Sequence, residues 1–153
     1  MIIDTSALVA ILEQEPEAER ISRTLASTPD RILSAANLVE VGIVMQARRG
    51  DDGAPDVDLL LAKLRVEIVP FTARQAEIAR KAFRRYGRGR HDAKLNFGDC
   101  LAYALAKDAS APLLFKGDDF GQTDVMAGAA LTYWPRRWLT IQSCEFAARV
   151  VGK

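Results

Sequence analysis

Four acidic positions lie where apolar residues surround or precede them, namely Asp4, Glu40, Asp99 and the pair Asp118-Asp119. A carboxylate in such surroundings is costly to desolvate unless something neutralises its charge. Carboxylates gathered at one point also repel one another, and a bound divalent cation reverses that repulsion. The pattern therefore predicts a magnesium or manganese site built from carboxylates.

Each acid also has a purely structural interpretation. Asp4 could cap a helix, and Asp99 could lie at a helix N-terminus, where the helix dipole favours negative charge. Glu40 could face solvent, and Asp118-Asp119 could be turn residues. Taken together, however, the acids are not explained by these separate structural roles, because they come from different elements at positions that could all face one end of a sheet. Magnesium prefers oxygen ligands and keeps several waters, which leaves positions for phosphate oxygens and an attacking water.

Short apolar segments alternate with helical patterns along the chain. The segments that predict strands are residues 2–4, 31–34, 67–69 and 112–115. This alternation predicts an α/β fold with a mainly parallel sheet covered by helices on both faces. Ligands of such sheets bind beyond the carboxyl ends of the strands. Asp4 and Asp118-Asp119 fall at such ends.

Capping and turn residues predict the limits of several helices. Either Thr5 or Ser6 is expected to cap the first helix, and Asn37 is expected to precede a later helix that ends at Gly50. Residues 51–55 contain two aspartates, a glycine and a proline, which predicts a loop.

Composition excludes several classes of protein. A length of 153 residues suits one domain, and 49% hydrophobic with 27% charged residues argues against disorder. One histidine, His91, and two cysteines, Cys100 and Cys144, exclude a zinc site of several His and Cys and a disulfide framework. No apolar run reaches the ~18 residues of a membrane span. No basic segment precedes the N-terminal apolar residues, so the expected location is cytoplasmic.

The net charge of +1 conceals a basic segment. Between Arg74 and Arg90 there are seven basic residues and one acid, Glu77. Thr72 is expected to cap the helix that carries most of them. The segment predicts contacts with the phosphate backbone of a polyanionic substrate, through Arg84, Arg85, Arg88 and Arg90. The alternative is a solvated helix face.

Four segments resemble the motifs of PIN-domain ribonucleases, specifically the VapC-like toxins of type II bacterial toxin–antitoxin systems. They are residues 1–8, residues 34–40, residues 86–91 with 95–100, and residues 113–120 with 123–125. They follow the order and spacing of the family over about residues 1–128. The resemblance implies a three-layer α/β/α fold and Mg²⁺-dependent endonuclease action on RNA, with Mn²⁺ as a possible substitute. It also implies a homodimer and inhibition by a cognate antitoxin protein.

The resemblance also assigns roles to individual residues. Ser6, two residues after Asp4, could hydrogen-bond a carboxylate or a water, and Asp124 is expected to support the site from nearby. The residues that match the catalytic and metal-binding acids of the family are Asp4, Glu40, Asp99 and, in preference to Asp118, Asp119.

Two alternatives stay open for the function. The chain could be a PIN-type RNA-processing nuclease outside a toxin pair, or a catalytically inactive RNA-binding or interaction domain. The complete set of acids argues against an inactive domain. The expected nuclease domain spans residues 1–130, and residues 131–153 form a C-terminal extension to which the sequence assigns no role. The number of metal ions and the RNA target also stay open.

Overall fold

A computed structural model describes residues 1–128 of the chain, and the predicted extension over residues 131–153 lies outside these described residues. The sheet is parallel and has the strand order β3-β2-β1-β4. Its strands are β1 (Ile2–Ile3), β2 (Ile32–Ser34), β3 (Glu67–Val69) and β4 (Leu113–Leu114). All four strands coincide with predicted segments, and the α/β prediction is confirmed.

Six α-helices connect and flank these strands. They are α1 (Thr5–Leu12), α2 (Ala18–Ala26), α3 (Ala35–Arg49), α4 (Gly53–Leu64), α5 (Ala73–Tyr86) and α6 (Phe97–Asp108). Two 3₁₀ turns, Gly50–Asp52 and Phe120–Gln122, complete the described elements. No helix within residues 1–128 combines the length and the apolar character that crossing a membrane would require.

Each face of the sheet is covered by its own hydrophobic cluster. Successive residues of a strand face opposite sides. Ile2 and Leu113, which are in register, belong to the cluster that includes residues of α5 and α6. Ile3 and Leu114, also in register, belong to the cluster that includes residues of α1 to α4. The sheet is therefore the middle of three layers, as predicted.

Two of the predicted helix caps are wrong. The N-cap of α1 is Asp4, as the structural interpretation of that residue predicted, and not Thr5 or Ser6, because the Asp4 carboxylate accepts a hydrogen bond from the Ser6 backbone N–H. The N-cap of α3 is Ser34, whose side chain accepts from the Ala36 backbone N–H. Asn37 is therefore the third residue of α3, in its first turn, rather than before the helix. This shift places the Asn37 side chain on the helix itself, where it faces other elements.

The predicted loop at residues 51–55 is also wrong. This segment forms the 3₁₀ turn and the first turn of α4, where Pro55 is tolerated because the first backbone N–H groups of a helix lack intrahelical partners. Gly50 ends α3 with a φ of 64°, as predicted. Thr72 caps α5 and forms a reciprocal capping box with Gln75, which confirms the predicted start of the basic helix.

Candidate active site

The acidic residues lie at the carboxyl edge of the sheet. Asp4 directly follows β1, and its backbone N–H donates to the carbonyl of Leu114 at the end of β4 (2.9 Å). Glu40 lies in the second turn of α3, which begins directly after β2. Asp99 lies in the first turn of α6, and Asp119 follows β4. Strand ends and helix starts therefore bring together residues that are up to 115 positions apart in sequence.

Asp4 is a buried carboxylate with one oxygen bonded and the other without a partner. Its Oδ2 accepts from the backbone N–H of Ser6 (2.8 Å) and from the Ser6 hydroxyl (2.5 Å). Its Oδ1 is buried and has no hydrogen-bond partner among the described residues. Burial raises the pKa of Asp4 to about 7, the Ser6 hydrogen bonds oppose this rise, and Asp99 and Glu40 add to it. The charged form of this side chain is therefore disfavoured at its desolvated position, and a neighbouring cation would favour it.

The Ser6 hydroxyl is oriented by a second hydrogen bond. Its Oγ accepts from the Lys116 backbone N–H (3.0 Å), so its own proton is directed to Asp4. The Lys116 ammonium pairs with Glu15 (2.6 Å), which draws it to the segment after α1. Ser6 therefore ties the chain after β4 to the Asp4 carboxylate.

Glu40 is held by side chains of two other positions. Its Oε2 accepts from the Thr5 hydroxyl (2.6 Å) and from the Asn37 amide (3.0 Å). A Cβ atom built on Gly98 would lie 1.6 Å from Oε1 of Glu40. The carboxylate therefore occupies space that only a glycine at position 98 leaves open.

Asp99 is half-buried and capped at the start of α6. Its Oδ2 accepts from the Asn96 backbone N–H (2.7 Å), and its own N–H donates to the Asn96 side chain (3.0 Å). Burial raises the pKa of Asp99, the Asn96 bond opposes this, Asp119 and Glu40 add to the rise, and Arg88 lowers it. These mutual effects indicate that the acids are close enough for their charges to interact.

The two residues of the exposed pair Asp118-Asp119 have different roles. Asp119 precedes the 3₁₀ turn as its N-cap residue, and its charge acts on Asp99. The Asp118 backbone carbonyl accepts from the Gly121 N–H (3.0 Å) and closes the turn. Asp119 is therefore the member of the pair that is electrostatically coupled to the other acids.

The acids are neighbours but do not form a closed cage in this conformation. Within residues 1–128, no three acidic, histidine or cysteine side chains are arranged closely enough to hold an ion as they stand. One oxygen of Asp99 accepts from Asn96, and one oxygen of Glu40 accepts from Thr5 and Asn37, so each of these acids keeps a second oxygen outside these bonds.

Asp124, which is predicted to support the site, is hydrogen-bonded to side chains of α6. Its Oδ1 accepts from the Tyr103 hydroxyl (2.6 Å), and its Oδ2 lies 3.3 Å from the Lys107 ammonium and 3.8 Å from the Arg85 guanidinium. Tyr103 and Lys107 are one turn apart on α6, and they draw Asp124 to that helix. These contacts anchor the segment after β4 to α6, and a role of Asp124 in supporting the acidic site stays a prediction.

The arginines of the basic segment differ in their surroundings. All four predicted candidates are exposed, namely Arg84, Arg85, Arg88 and Arg90. Arg85 lies over the ring of Tyr86 (4.8 Å to the centroid) in addition to its pairing with Asp124. Arg88 is close enough to Asp99 to lower its pKa. Arg88 therefore lies nearest to the acids in electrostatic terms.

Sequence reasoning missed several residues that contact the acids. Thr5, Asn37 and Gly98 contact Glu40, and Asn96 caps the turn that carries Asp99. Two of these had a local signal, since Asn37 and Asn96 each precede an acid by three residues, the spacing of one helical turn. Gly98 had none, because the side chain that requires it comes from a distant helix.

The arrangement matches a known family. The model of the PIN domain matches residues 1–126. This chain belongs to the PIN-domain family. Its VapC-type relatives include a "Ribonuclease VapC" of Mycolicibacterium smegmatis, which is 52% identical over 127 residues and covers 83% of this chain and 98% of that protein. "Ribonuclease VapC30" of Mycobacterium tuberculosis is 49% identical over 125 residues, which are 82% of this chain and 95% of the relative.

Solved structures support the same fold. The toxin VapC20 of Mycobacterium tuberculosis, described as cleaving the sarcin-ricin loop, aligns with a TM-score of 0.67 at 19% identity over 88% of this chain and 98% of the toxin. A toxin–antitoxin complex from Klebsiella pneumoniae aligns with a TM-score of 0.61 at 18% identity, over 88% of this chain and 98% of that chain. The PIN-type three-layer architecture is thereby confirmed.

Proposed function

We propose that this protein is a divalent-metal-dependent endoribonuclease and the toxin of a toxin–antitoxin pair. The observation that carries the proposal is the buried Asp4 carboxylate, whose Oδ1 has no partner among the described residues while Glu40 and Asp99 lie within electrostatic range. A second line of support is the set of relatives about 50% identical that are named VapC ribonucleases.

The donor set fits magnesium, with manganese as a substitute. All the candidate ligands are carboxylate oxygens, which hard cations prefer, and Asp4 offers an oxygen that nothing else binds. The residues that would hold the ion are Asp4, Glu40, Asp99 and Asp119. When bound, such an ion polarises a phosphate oxygen and lowers the pKa of a coordinated water, so that no imidazole base is required.

The chain itself supplies orientation and charge. The two Ser6 hydrogen bonds hold Oδ2 of Asp4, which leaves Oδ1 for a cation. The pKa of Asp4, about 7, means that cation binding near neutral pH is linked to release of a proton from this carboxyl. Affinity for the ion is therefore expected to rise with pH through this range.

The basic segment provides a surface for the RNA backbone. Arg88 lies near Asp99, and Arg90 is exposed in the same loop, where Gly89 adopts a φ of 79°. Arg84 and Arg85 extend the positive surface along α5. Guanidinium groups bind phosphates without reading sequence, so this surface is expected to supply affinity rather than specificity. An RNA substrate also implies a cytoplasmic site of action.

Two protein partners complete the proposal. A cognate antitoxin is supported by solved complexes of similar fold, such as VapBC2 from Rickettsia felis, which aligns with a TM-score of 0.63 at 17% identity. A cationic side chain of the antitoxin would compete with the metal for the acids.

A second copy of this chain is the other partner. Val39 and Ile43 lie one turn apart on α3 and are 60% and 63% exposed. These two exposed apolar side chains support a contact between copies.

The decisive experiment is a cleavage assay on defined RNAs with titrated Mg²⁺. We expect the wild type to cleave in Mg²⁺ and to stop in excess chelator, and Asp99→Asn to lose at least about 100-fold in rate, because a ligand is lost. The matched control is Asp58→Asn, which removes an exposed carboxylate of α4 and should cleave normally. Cleavage by Asp99→Asn at the wild-type rate would overturn the site assignment.

A growth assay separates a toxin from an RNA-processing enzyme. Induced expression of the wild type should arrest growth, Asp99→Asn should not, and co-expression of the gene that adjoins the toxin gene should restore growth. Metal-dependent cleavage without growth arrest would favour the processing enzyme instead.

A further inference from the structure

Asn37 is a fully buried amide that bonds to two different helices at the acidic site. It is 0% exposed and lies one turn before Glu40 on α3. Its Nδ2 lies 3.0 Å from Oε2 of Glu40 and 3.1 Å from the backbone carbonyl of Gly98, in the first turn of α6. The two N–H groups of one amide thus serve one acceptor on α3 and one on α6.

The orientation of this amide is determined by its surroundings. Both neighbouring atoms, Oε2 of Glu40 and the Gly98 oxygen, accept hydrogen bonds and cannot donate. The NH₂ group must therefore face them, since the flipped amide would place its oxygen against two acceptors. Asn37 consequently acts as a double donor, which no apolar residue and no carboxylate of similar size can replace.

The Glu40 carboxylate is confined from three directions. The Thr5 hydroxyl is a second donor to Oε2, at 2.6 Å. Gly98 closes the other side, because a Cβ atom there would overlap Oε1. With both donors on Oε2, Oε1 has no hydrogen bond among residues 1–128. A glutamate that is free to sample its rotamers loses side-chain entropy when it becomes ordered on a metal, and this arrangement orders Glu40 in advance.

We propose that Asn37 is a positioning residue of the metal site. It selects the orientation of Glu40 that leaves Oε1 available, and it fixes α3 to the first turn of α6 at Gly98, the residue directly before Asp99. The inference rests on the proposed metal-dependent function and extends it to a residue that touches neither metal nor RNA. Thr5 assists through the same carboxylate oxygen.

The test compares two buried amides. Asn37→Leu removes the donors at nearly constant volume. The matched control is Gln75→Leu, because Gln75 is also buried (1% exposed) and also hydrogen-bonded, through its Nε2 to Asp108 (3.1 Å) and its Oε1 to the Thr72 N–H. Both variants should lower the unfolding temperature. Only Asn37→Leu should weaken the binding of Mn²⁺ alone, measured without RNA by electron paramagnetic resonance, by about 10–100-fold, the usual cost of removing a residue that orients a ligand.

Thr5 gives a second and milder pair of variants. Thr5→Val removes the hydroxyl at constant shape, and Thr5→Ser retains it. We expect Thr5→Val to weaken Mn²⁺ binding and Thr5→Ser to restore it to near the wild-type value. If Asn37→Leu fails to fold, this pair still decides the matter, since a role limited to packing would be affected more by Thr5→Ser, which loses a methyl group, than by Thr5→Val.

Failure of this inference differs from failure of the proposed function. Unaltered Mn²⁺ affinity and cleavage in both Asn37→Leu and Thr5→Val, beside a wild type that binds and cleaves, would overturn the positioning role alone. A wild type that shows no saturable Mn²⁺ binding and no metal-dependent cleavage would overturn the proposed function, and this inference with it.

Discussion

Two aspartates of this molecule occupy opposite electrostatic environments. Asp4 is buried, accepts only from Ser6 and retains one oxygen without a partner among the described residues. Asp124 is bonded to the Tyr103 hydroxyl and lies beside two cationic side chains. The pKa of Asp4 is raised to about 7, chiefly by burial, whereas the Tyr103 hydrogen bond and Lys107 hold the pKa of Asp124 below its usual value.

The difference separates a carboxylate that stabilises the fold from one that costs stability. Asp124 lies among donors and cations that favour its charged form, so its ionisation contributes to folding. Burial disfavours the charged form of Asp4, and the neighbouring Glu40 and Asp99 disfavour it further. A cation would offset this cost, and this is the physical basis for proposing the metal at Asp4 and not at Asp124.

The largest expected difference between the two aspartates is in RNA cleavage. Asp4→Asn should reduce the cleavage rate at saturating Mg²⁺ by at least about 100-fold, because the buried ligand oxygen loses its charge. Asp124→Asn should change the rate by less than about threefold, since Asp124 contacts none of the other acids through a hydrogen bond in the described part of the chain. Equal losses in the two variants would contradict the distinction.

Replacing a glycine by alanine tests whether the space beside Glu40 is needed for activity. Gly98→Ala should reduce cleavage by about 10–100-fold, because the new Cβ would lie 1.6 Å from Oε1 of Glu40 and displace that carboxylate. Gly42→Ala is the control on the helix that carries Glu40, since a Cβ there meets nothing within 4 Å. It should retain activity and gain about 0.5–1 kcal/mol in the free energy of unfolding. Full activity of Gly98→Ala would show that Glu40 can function elsewhere.

In the metal-free protein, the free energy of unfolding should change with pH because Asp4 titrates. Its pKa in the folded state, about 7, exceeds its ordinary value of 3.8, so the folded protein binds a proton that the unfolded chain releases between these values. The free energy of unfolding should therefore fall as pH rises from about 4 to 7, by at most about 4 kcal/mol from this group. Asp4→Asn should flatten the profile, measured by urea unfolding in chelator. A wild-type profile that rises over the same range would contradict the burial argument.

Asp124 should change the pH dependence of the free energy of unfolding by a smaller amount than Asp4 and in the opposite direction. Because its folded pKa is lowered, its contribution to stability is present at neutral pH and is lost as pH falls through that value. Asp124→Asn should cost about 1 kcal/mol at pH 7, since the side chain is partly exposed and its ion pairs are screened. Urea titrations of the wild type and the variant should converge at low pH. A difference that persists at pH 3 would indicate that the loss comes from packing.

The sequence predicted the fold and the acids better than it predicted what holds them. Parallel strands could be located from short apolar segments, and Asp4, Glu40, Asp99 and Asp119 could be predicted as partners because chain topology brings strand ends together. A helix cap and a functional acid were treated as alternatives for Asp4. The structure makes Asp4 a cap, and this geometry is also what leaves its Oδ1 unbonded.

The residues that the sequence did not indicate act between elements. Asn37 bonds to a carbonyl 61 residues away, and Gly98 matters only because a glutamate from another helix lies against it. No periodicity or local spacing records such contacts, since they depend on how α3 and α6 pack. The contacts of Asp124 with Tyr103, Lys107 and Arg85 are of the same kind, because they too join residues that are distant in sequence.

The hydrogen bonds from the Asp4 N–H to Leu114 and from the Lys116 N–H to Ser6 join the start of the chain to its last described strand. During synthesis on a ribosome, β1 emerges first and must wait for more than a hundred further residues before these bonds can form. The acids near the N-terminus therefore remain unassembled until β4 is made and docked. The environment of Asp4 described above is therefore complete only after β4 has been synthesised and has docked beside β1.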